Sequence, residues 1–259
     1  MITAGDISAA LADLGVQPDD TLFVHSDVRT SLRLEGARLP DKLVTLADGL
    51  AGAVPAGTLV VPTFSYSFTR GEDFDVDASA STVGAFSDWY RKRPGVRRTA
   101  DPLFSVAYEG SLGDDWDQAL CTPGDTVAFG EASVFARLRQ LDAKLLCWGI
   151  GIEALTFAHY TEQYLQVPYR FIKDFAGVVH AGGRATEVRS SYYVRELKRE
   201  TEIFLGPLGE VLLDEGRARA AKLPRGPALF LTDTGSALAT IERELQSNPD
   251  FLLRRGHGA

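Results

Sequence analysis

The stretch Lys144-Leu-Leu-Cys-Trp-Gly-Ile-Gly151 decides the fold class. Its first five residues form a short, mostly apolar run, which is typical of a strand buried on both faces of a sheet. The glycines at 149 and 151 then allow the backbone to turn sharply, and a helix that carries His159 begins close to Thr156. A buried strand, a turn and a helix in this order are the repeating unit of an α/β protein.

The same alternation precedes this stretch. Apolar runs predict strands over 21–25, 58–64 and 103–108, and apolar residues at helical spacing predict helices around 7–14, 43–54, 86–93 and 134–141. We therefore predict a three-layer α/β fold in which a largely parallel central sheet is flanked by helices.

The pattern changes after Pro168. We predict a hairpin that turns at Gly182-Gly183, short strands at 210–213 and 228–232, and a helix over 236–245 with Ser236 as its N-cap. The expected organisation is a single domain over 1–259. It comprises an α/β core over 1–167 and an α+β C-terminal portion over 168–259 that packs on the core.

Composition excludes several classes of protein. The 259 residues are 45% hydrophobic, which suffices for a full core. The net charge of −8 disfavours nucleic-acid binding, which needs clustered positive charge. We find no apolar run long enough for a membrane span, no secretory signal pattern, and only two cysteines. These features predict a cytoplasmic protein that does not bind membranes.

The strongest candidate for chemistry is the segment from Thr156 to Glu162. Glu162 lies one helical turn after His159, within interaction range. A histidine near a helix start is favoured in its neutral form and can accept a proton, while a nearby carboxylate fixes its tautomer. The hydroxyl of Thr156 or a backbone N–H could polarise a carbonyl group. This pattern predicts a general base at His159.

Other interpretations of these residues remain open. His159 and Glu162 could form a structural pair in the core, or ligate a metal in a hydrolase, although neither His25 nor His180 has metal-site spacing. Cys147 could serve as a nucleophile, but its apolar neighbours favour burial. A protein that kept the fold and lost its activity is a further alternative.

An ordered set of motifs resembles the aminoglycoside 3-N-acetyltransferase family, whose fold differs from that of the GCN5-related acetyltransferases. The resemblance covers about residues 5 to 175. It rests on Val24-His-Ser26, Gly57-Thr-Leu-Val-Val-Pro-Thr-Phe64, Phe74 to Gly84, Arg91 to Ser105, Gly149-x-Gly151, and Thr156-x-x-His159-x-x-Glu162.

This resemblance implies an N-acetyltransferase that uses acetyl-CoA or another acyl-CoA and needs no metal. His159, Glu162 and Thr156 would be the catalytic residues, and transfer would be direct, through a tetrahedral intermediate. The pantetheine would pass the loop after the first strand. The expected donor-binding residues are His25, Ser26, Asp27, Val28, Arg29, Thr30, Ser31, Arg98 and Ser105.

The acceptor is expected beside the loop after the second strand, which mixes aromatic and acidic side chains. Its predicted contacts are Phe64, Tyr66, Glu72, Asp75 and Asp101. The family usually has histidine at position 101 and serine at position 27, where this chain has Asp101 and Asp27. The segments Asp101 to Ser105 and Val167 to Arg170 resemble more closely the relatives in cell-surface polysaccharide or amino-sugar pathways. Together with the two departures, this resemblance favours an amino sugar, free or nucleotide-linked, over an aminoglycoside as the small-molecule amine. The chain could form a homodimer.

Overall fold

A seven-stranded mixed sheet forms the centre of the protein. The computed structural model describes residues 1–197 and 200–254, without the side chains of Thr30 and Ser31. The strands are β1 (Thr21–Ser26), β2 (Thr58–Pro62), β3 (Phe74–Asp75), β4 (Arg97–Arg98), β5 (Val106–Gly110), β6 (Thr126–Val127), β7 (Lys144–Trp148), β8 (Arg170–Ala181), β9 (Arg184–Arg195), β10 (Arg219–Lys222) and β11 (Ala228–Asp233).

Eight α-helices within the described residues flank the sheets. They are α1 (Ala4–Asp13), α2 (Leu39–Ala53), α3 (Ala85–Tyr90), α4 (Gly113–Leu120), α5 (Val134–Gln140), α6 (Phe157–Tyr164), α7 (Gly206–Asp214) and α8 (Thr234–Ser247). Short 3-10 helices cover Val28–Arg33, Ser67–Arg70 and Ile152–Ala154. No helix of the described residues is long and apolar enough to cross a membrane.

The central sheet has the strand order β10-β11-β7-β1-β2-β5-β4. The α/β fold predicted from the sequence is confirmed, but its parallel part is smaller than expected. Only the pairs β1–β2 and β1–β7 are parallel, whereas the pairs β2–β5, β4–β5, β7–β11 and β10–β11 are antiparallel. An apolar run shows that a strand is buried, and it does not show the direction of its neighbours.

Two apolar cores lie on opposite faces of the central sheet, because successive side chains of a strand point to opposite faces. On one face Leu146 and Trp148 pack in a core with residues of α1, α2 and α3. On the other face Leu145 and Cys147 pack in a core with residues of α5, α6, α7 and α8. This arrangement is the predicted three-layer architecture.

A smaller second sheet has the order β3-β8-β9-β6, and its centre is the long β8–β9 hairpin. The hairpin turns at Gly182-Gly183, as predicted, and both glycines have positive φ angles of 54° and 75°. Strands from both sides of residue 168 share each sheet. We therefore retain the proposal of a single domain over 1–259, although the division into 1–167 and 168–259 does not separate the two sheets.

Three local predictions for secondary structure were wrong. Residues 210–213 belong to helix α7 and not to a strand, because Leu208 and Leu212 recur at helical spacing and are both buried. The N-cap of α8 is Asp233, whose carboxylate accepts from the backbone N–H of Ser236. A strand was predicted over 103–108, but β5 begins only at Val106. The Asp101 carboxylate accepts from the N–H groups of Leu103 and Phe104 and so holds these residues in a turn.

Candidate active site

The candidate site lies at the edge where the parallel strands β7, β1 and β2 end. In open α/β sheets this carboxyl edge is the usual position of a ligand site. The 3-10 helix Val28–Arg33 follows β1, and the 3-10 helix Ile152–Ala154 and α6 follow β7. Ser26 and Trp148 pair at the ends of their strands. The sheet therefore brings the predicted donor loop and the helix of His159 to the same edge.

His159, Glu162 and Arg170 form a triad of polar side chains that is largely buried. Nδ1 of His159 lies 2.8 Å from Oε2 of Glu162. Nε of Arg170, on β8, lies 2.8 Å from the same oxygen, and its Nη2 lies 3.1 Å from Nδ1 of His159. The Glu162 side chain is fully buried and that of Arg170 is 3% exposed, whereas the His159 side chain keeps 26% of its surface. The histidine is the most exposed member of this triad.

The charge of Glu162 determines which nitrogen of His159 is free. Burial raises the pKa of Glu162, but the contacts with His159 and Arg170 outweigh burial and hold the pKa below its ordinary value. An ionised carboxylate can only accept hydrogen bonds, so His159 donates from Nδ1 to Glu162. Nε2 of His159 then keeps its lone pair and can accept a proton.

A cavity of about 1120 Å³ opens beside His159. Strands β8 and β9 and the segment after them form much of its wall, which includes Phe171, Phe175, Tyr192, Val194 and Phe204. The ring of Phe129 lies 6.0 Å from that of His159 and 5.9 Å from that of Tyr192. A large cavity with many apolar side chains and His159 in its wall is typical of a site for a small organic substrate.

Thr156 lies directly before α6, one turn ahead of His159. Its backbone oxygen accepts from the N–H of His159 at 2.9 Å, and its half-buried hydroxyl donates to the backbone oxygen of Ala154 at 3.4 Å. The role of Thr156 in polarising a carbonyl group remains a proposal.

The predicted donor loop begins with His25 at the end of β1. His25 is buried against Phe23 with ring centres 4.8 Å apart, and burial lowers its pKa to about 3. Ser26 ends β1 and Val28 begins the following 3-10 helix. Between them, the carboxylate of Asp27 accepts hydrogen bonds from the guanidinium of Arg29 at 2.6 to 3.0 Å. The side chains of Thr30 and Ser31 lie outside the described part of the structure.

Arg98 and Ser105 occupy interior positions. The guanidinium of Arg98 donates to Oγ1 and the backbone oxygen of Thr63, to Oγ of Ser105, and to the backbone oxygens of Val76 and Ser79. Burial lowers the pKa of Arg98 to about 10. These contacts hold the loop over 76–79 against β2. We therefore revise the proposal for Arg98 and Ser105 from direct donor contact to support of this loop.

The residues predicted to bind the acceptor lie in different environments. Phe64 is 2% exposed, and half-buried Tyr66 packs on Phe104, whose ring in turn contacts Tyr192 of the cavity wall. Burial raises the pKa of the Tyr66 hydroxyl well above its ordinary value. Glu72 is exposed and pairs with Arg70, and the Asp75 carboxylate accepts from the N–H groups of Asp77 and Ala78. Tyr66 is thus linked to the cavity wall through the ring of Phe104, which contacts Tyr192.

Asp101 caps the turn before β5. Its Oδ1 accepts from the backbone N–H groups of Leu103 and Phe104, each at 2.8 Å. Burial raises its pKa despite these two bonds. Asp101 lines a separate cavity of about 260 Å³ with Asp125 and Thr126, whereas His159 lines the larger one. This geometry favours a structural role for Asp101 over contact with the acceptor.

The structure weighs against both hydrolase alternatives. Cys147 is fully buried in β7, and burial raises the pKa of its thiol to about 12, which leaves little thiolate for nucleophilic attack. The Glu162 oxygen that contacts His159 also contacts the cation of Arg170, so a second cation there would be repelled.

Sequence reasoning missed Arg170 and the cavity wall on β8 and β9. Arg170 ends the segment Val167-Pro-Tyr-Arg170, and nothing in that segment by itself assigns the arginine a role. The signal was weak, because an arginine eleven residues after a histidine has no defined distance to it along the chain. Only the start of β8 beside α6 brings the two side chains together.

Comparisons with known proteins identify the family of this chain. The family model for aminoglycoside 3-N-acetyltransferases matches residues 23–240. Aminoglycoside N(3)-acetyltransferase IV from Salmonella is 34% identical over 167 residues, which cover 63% of this chain and 60% of the relative. Aminoglycoside N(3)-acetyltransferase III from Enterobacter cloacae is 29% identical, with 65% and 63% covered. The chain thus aligns with less than two thirds of the length of these curated relatives.

Solved structures extend the similarity over nearly the whole chain. The apoenzyme of aminoglycoside acetyltransferase AAC(3)-IVa is 26% identical with a TM-score of 0.74, covering 97% of this chain and 91% of that one. A histidine-to-alanine mutant of the same enzyme in complex with a gentamicin is 27% identical, with the same TM-score and coverage. With its family model matched over most of its length, the chain belongs to the aminoglycoside 3-N-acetyltransferase family.

Proposed function

We propose that this chain transfers an acetyl group, or another acyl group, from acyl-CoA to the amine of an amino sugar or aminoglycoside-like acceptor, with His159 as general base. The observation that carries the proposal is the 2.8 Å contact between His159 Nδ1 and buried Glu162, with the histidine in the wall of the large cavity. Membership of the family supports the reaction class, and the gentamicin complex of the structural relative supports the acceptor class.

The chemistry asked of these residues is a proton transfer. As the amine nitrogen bonds to the thioester carbonyl carbon and the carbon–sulfur bond breaks, the amine must lose one proton. Nε2 of His159 accepts that proton and then returns it to the departing sulfur, so that the acylated amine and free CoA leave. Glu162 holds the imidazole in place and stabilises its positive charge in between.

The donor is proposed to bind along the loop after β1. The 3-10 helix Val28–Arg33 carries the exposed cations Arg29 and Arg33 at the carboxyl edge of the parallel strands. Guanidinium groups suit the phosphates of CoA. The neighbouring end of β7 leads into the helix of His159, so a thioester delivered from this edge would approach the proposed base.

The test is CoA release with purified His159→Gln. With acetyl-CoA and a panel of amino sugars and aminoglycosides, we expect kcat to fall by about 10²- to 10⁴-fold, the usual contribution of a general base. His180→Gln is the matched control, because His180 lies near the hairpin turn and contacts Asp73. Full turnover by His159→Gln on an acceptor that the wild type acetylates would overturn the proposed mechanism.

A further inference from the structure

The cavity beside His159 has an excess of positive charge in a protein whose net charge is −8. Its wall contains four cations, Arg170, Lys173, Arg195 and Arg254, and three carboxylates, Glu153, Glu196 and Glu202. A cavity adapted to a polycation would carry the opposite balance, because like charges in a poorly hydrated site repel one another.

Most of these charges already have partners. Both oxygens of Glu153 accept from backbone N–H groups at the start of α7, at 2.9 to 3.0 Å. Glu202 pairs with Arg254 at 3.3 Å, and Arg170 pairs with Glu162. Glu196 also makes an interaction of its own. The carboxylates of Glu153 and Glu202 are therefore engaged within the protein.

Lys173 and Arg195 are different. Among the residues that the structure describes, no carboxylate forms a salt bridge with either side chain. Lys173 lies between Phe171 and Phe175 on the same face of β8, and its Nζ lies 5.0 Å from the centre of the Phe175 ring. Arg195 pairs across the hairpin with Arg170, the residue that holds Glu162. Lys173 and Arg195 thus line the same cavity as His159, and neither has an acidic partner within residues 1–197 and 200–254.

We propose that the acceptor is an amino sugar that carries an anionic group, such as a phosphate or a carboxylate, and that Lys173 and Arg195 bind this group. The proposal rests on the function proposed above. The apolar wall of Phe171, Phe175 and Val194 would contact the body of the sugar, while its amine reaches His159. Charge-assisted hydrogen bonds from Lys and Arg are strong with phosphate and carboxylate oxygens.

The phosphates of CoA are a second source of the same anionic chemistry. We assign the acceptor to this wall because the donor already has a proposed path along Val28–Arg33, and because Lys173 and Arg195 lie on β8 and β9 instead of on the loops that follow the parallel strands. If the two cations bind the acceptor, their removal should change the KM for the acceptor. If they bind the phosphates of CoA, their removal should change the KM for acetyl-CoA.

The experiment compares glucosamine, glucosamine 6-phosphate and gentamicin as acceptors with acetyl-CoA, for the wild type, Lys173→Gln, Arg195→Gln and the double variant. Arg184→Gln, at the turn of the same hairpin, is the control. We expect the wild type to prefer glucosamine 6-phosphate over glucosamine by at least about tenfold in kcat/KM, the effect of one good charged contact. The double variant should lose this preference, with unchanged KM for acetyl-CoA.

Each alternative outcome has a distinct meaning. Equal or higher kcat/KM of the wild type for glucosamine or gentamicin would overturn the inference and leave the proposed function intact. An increase in KM for acetyl-CoA alone in the double variant would assign the two cations to the donor and also overturn it. Absence of acetyl transfer to every amine tested would overturn the proposed function itself.

Discussion

Replacement of Arg170 by methionine tests whether this arginine keeps Glu162 ionised. Methionine retains an unbranched apolar side chain of similar length and removes only the guanidinium. The substitution removes the 2.8 Å contact of Nε with Glu162 and the 3.2 Å hydrogen bond from Nη1 to the backbone oxygen of Tyr193. Glu162 would then remain fully buried with His159 as its polar partner.

The expected loss of stability is large. Removal of one partner from a buried ion pair costs about 3–5 kcal/mol when the other stays charged. Glu162 can limit this cost by taking up a proton, so its pKa should rise in Arg170→Met. A protonated Glu162 would also hold the imidazole less firmly, so the acidic limb of the rate profile should move to higher pH.

The dependence of stability on pH should change sign. In the wild type the folded-state pKa of Glu162 is depressed, so its stabilisation is present above the unfolded-state pKa and is lost as pH falls through the folded-state pKa. In Arg170→Met the folded-state pKa lies above the unfolded-state value. The folded variant then binds more protons, and its stability should decrease as pH rises between the two pKa values.

Urea unfolding at several pH values measures both effects. The double variant Glu162→Gln/Arg170→Met should be more stable than the sum of the single changes predicts, with a coupling of about 0.5–3 kcal/mol. Ordinary surface changes alter the free energy of unfolding by up to about 0.5 kcal/mol. If Arg170→Met differs from the wild type by no more than this and has the same pH dependence of stability, Arg170 does not compensate the charge of the buried Glu162.

Three further predictions concern other parts of the site and core. Burial lowers the pKa of His25 to about 3, so between this pH and about 6.5 only the unfolded state binds a proton at His25. The free energy of unfolding should therefore decrease as pH falls through that window, by up to about 1.4 kcal/mol per pH unit. His25→Asn should reduce this pH dependence in urea unfolding. Asp101→Ala should lower the free energy of unfolding by about 0.5–2 kcal/mol through loss of the turn cap, and Asp101→Asn, which keeps Oδ1, should lower it less. Acetylation rates equal to those of the wild type would agree with a structural role of Asp101. A selective increase in the KM for the acceptor in both variants would contradict that role. Leu146→Ala should cost about 2–5 kcal/mol by thermal or urea unfolding, against little change for Leu141→Ala, whose side chain is exposed.

Local patterns were enough to predict much of the fold. The apolar run over 144–148 is β7, and the glycine pair at 182–183 is the turn of the β8–β9 hairpin. These elements depend on neighbours within a few residues, so sequence periodicity and turn chemistry report them directly. Residues 210–213 were mistaken for a strand because so short an apolar run suits either structure. The helical spacing of Leu208 and Leu212, together with their packing in the same core as α8, favours the helix.

The pairing of His159 with Glu162 was equally local, because the two side chains are one helical turn apart. The amino-acid sequence therefore determined by itself the α/β class, the family motifs and the histidine–glutamate pair. Tertiary structure alone decided that Arg170 reaches Glu162, that Arg98 and Asp101 support loops, and that β8 and β9 form the cavity wall. These contacts join residues from different elements, and their distances depend on how the sheets and helices pack together.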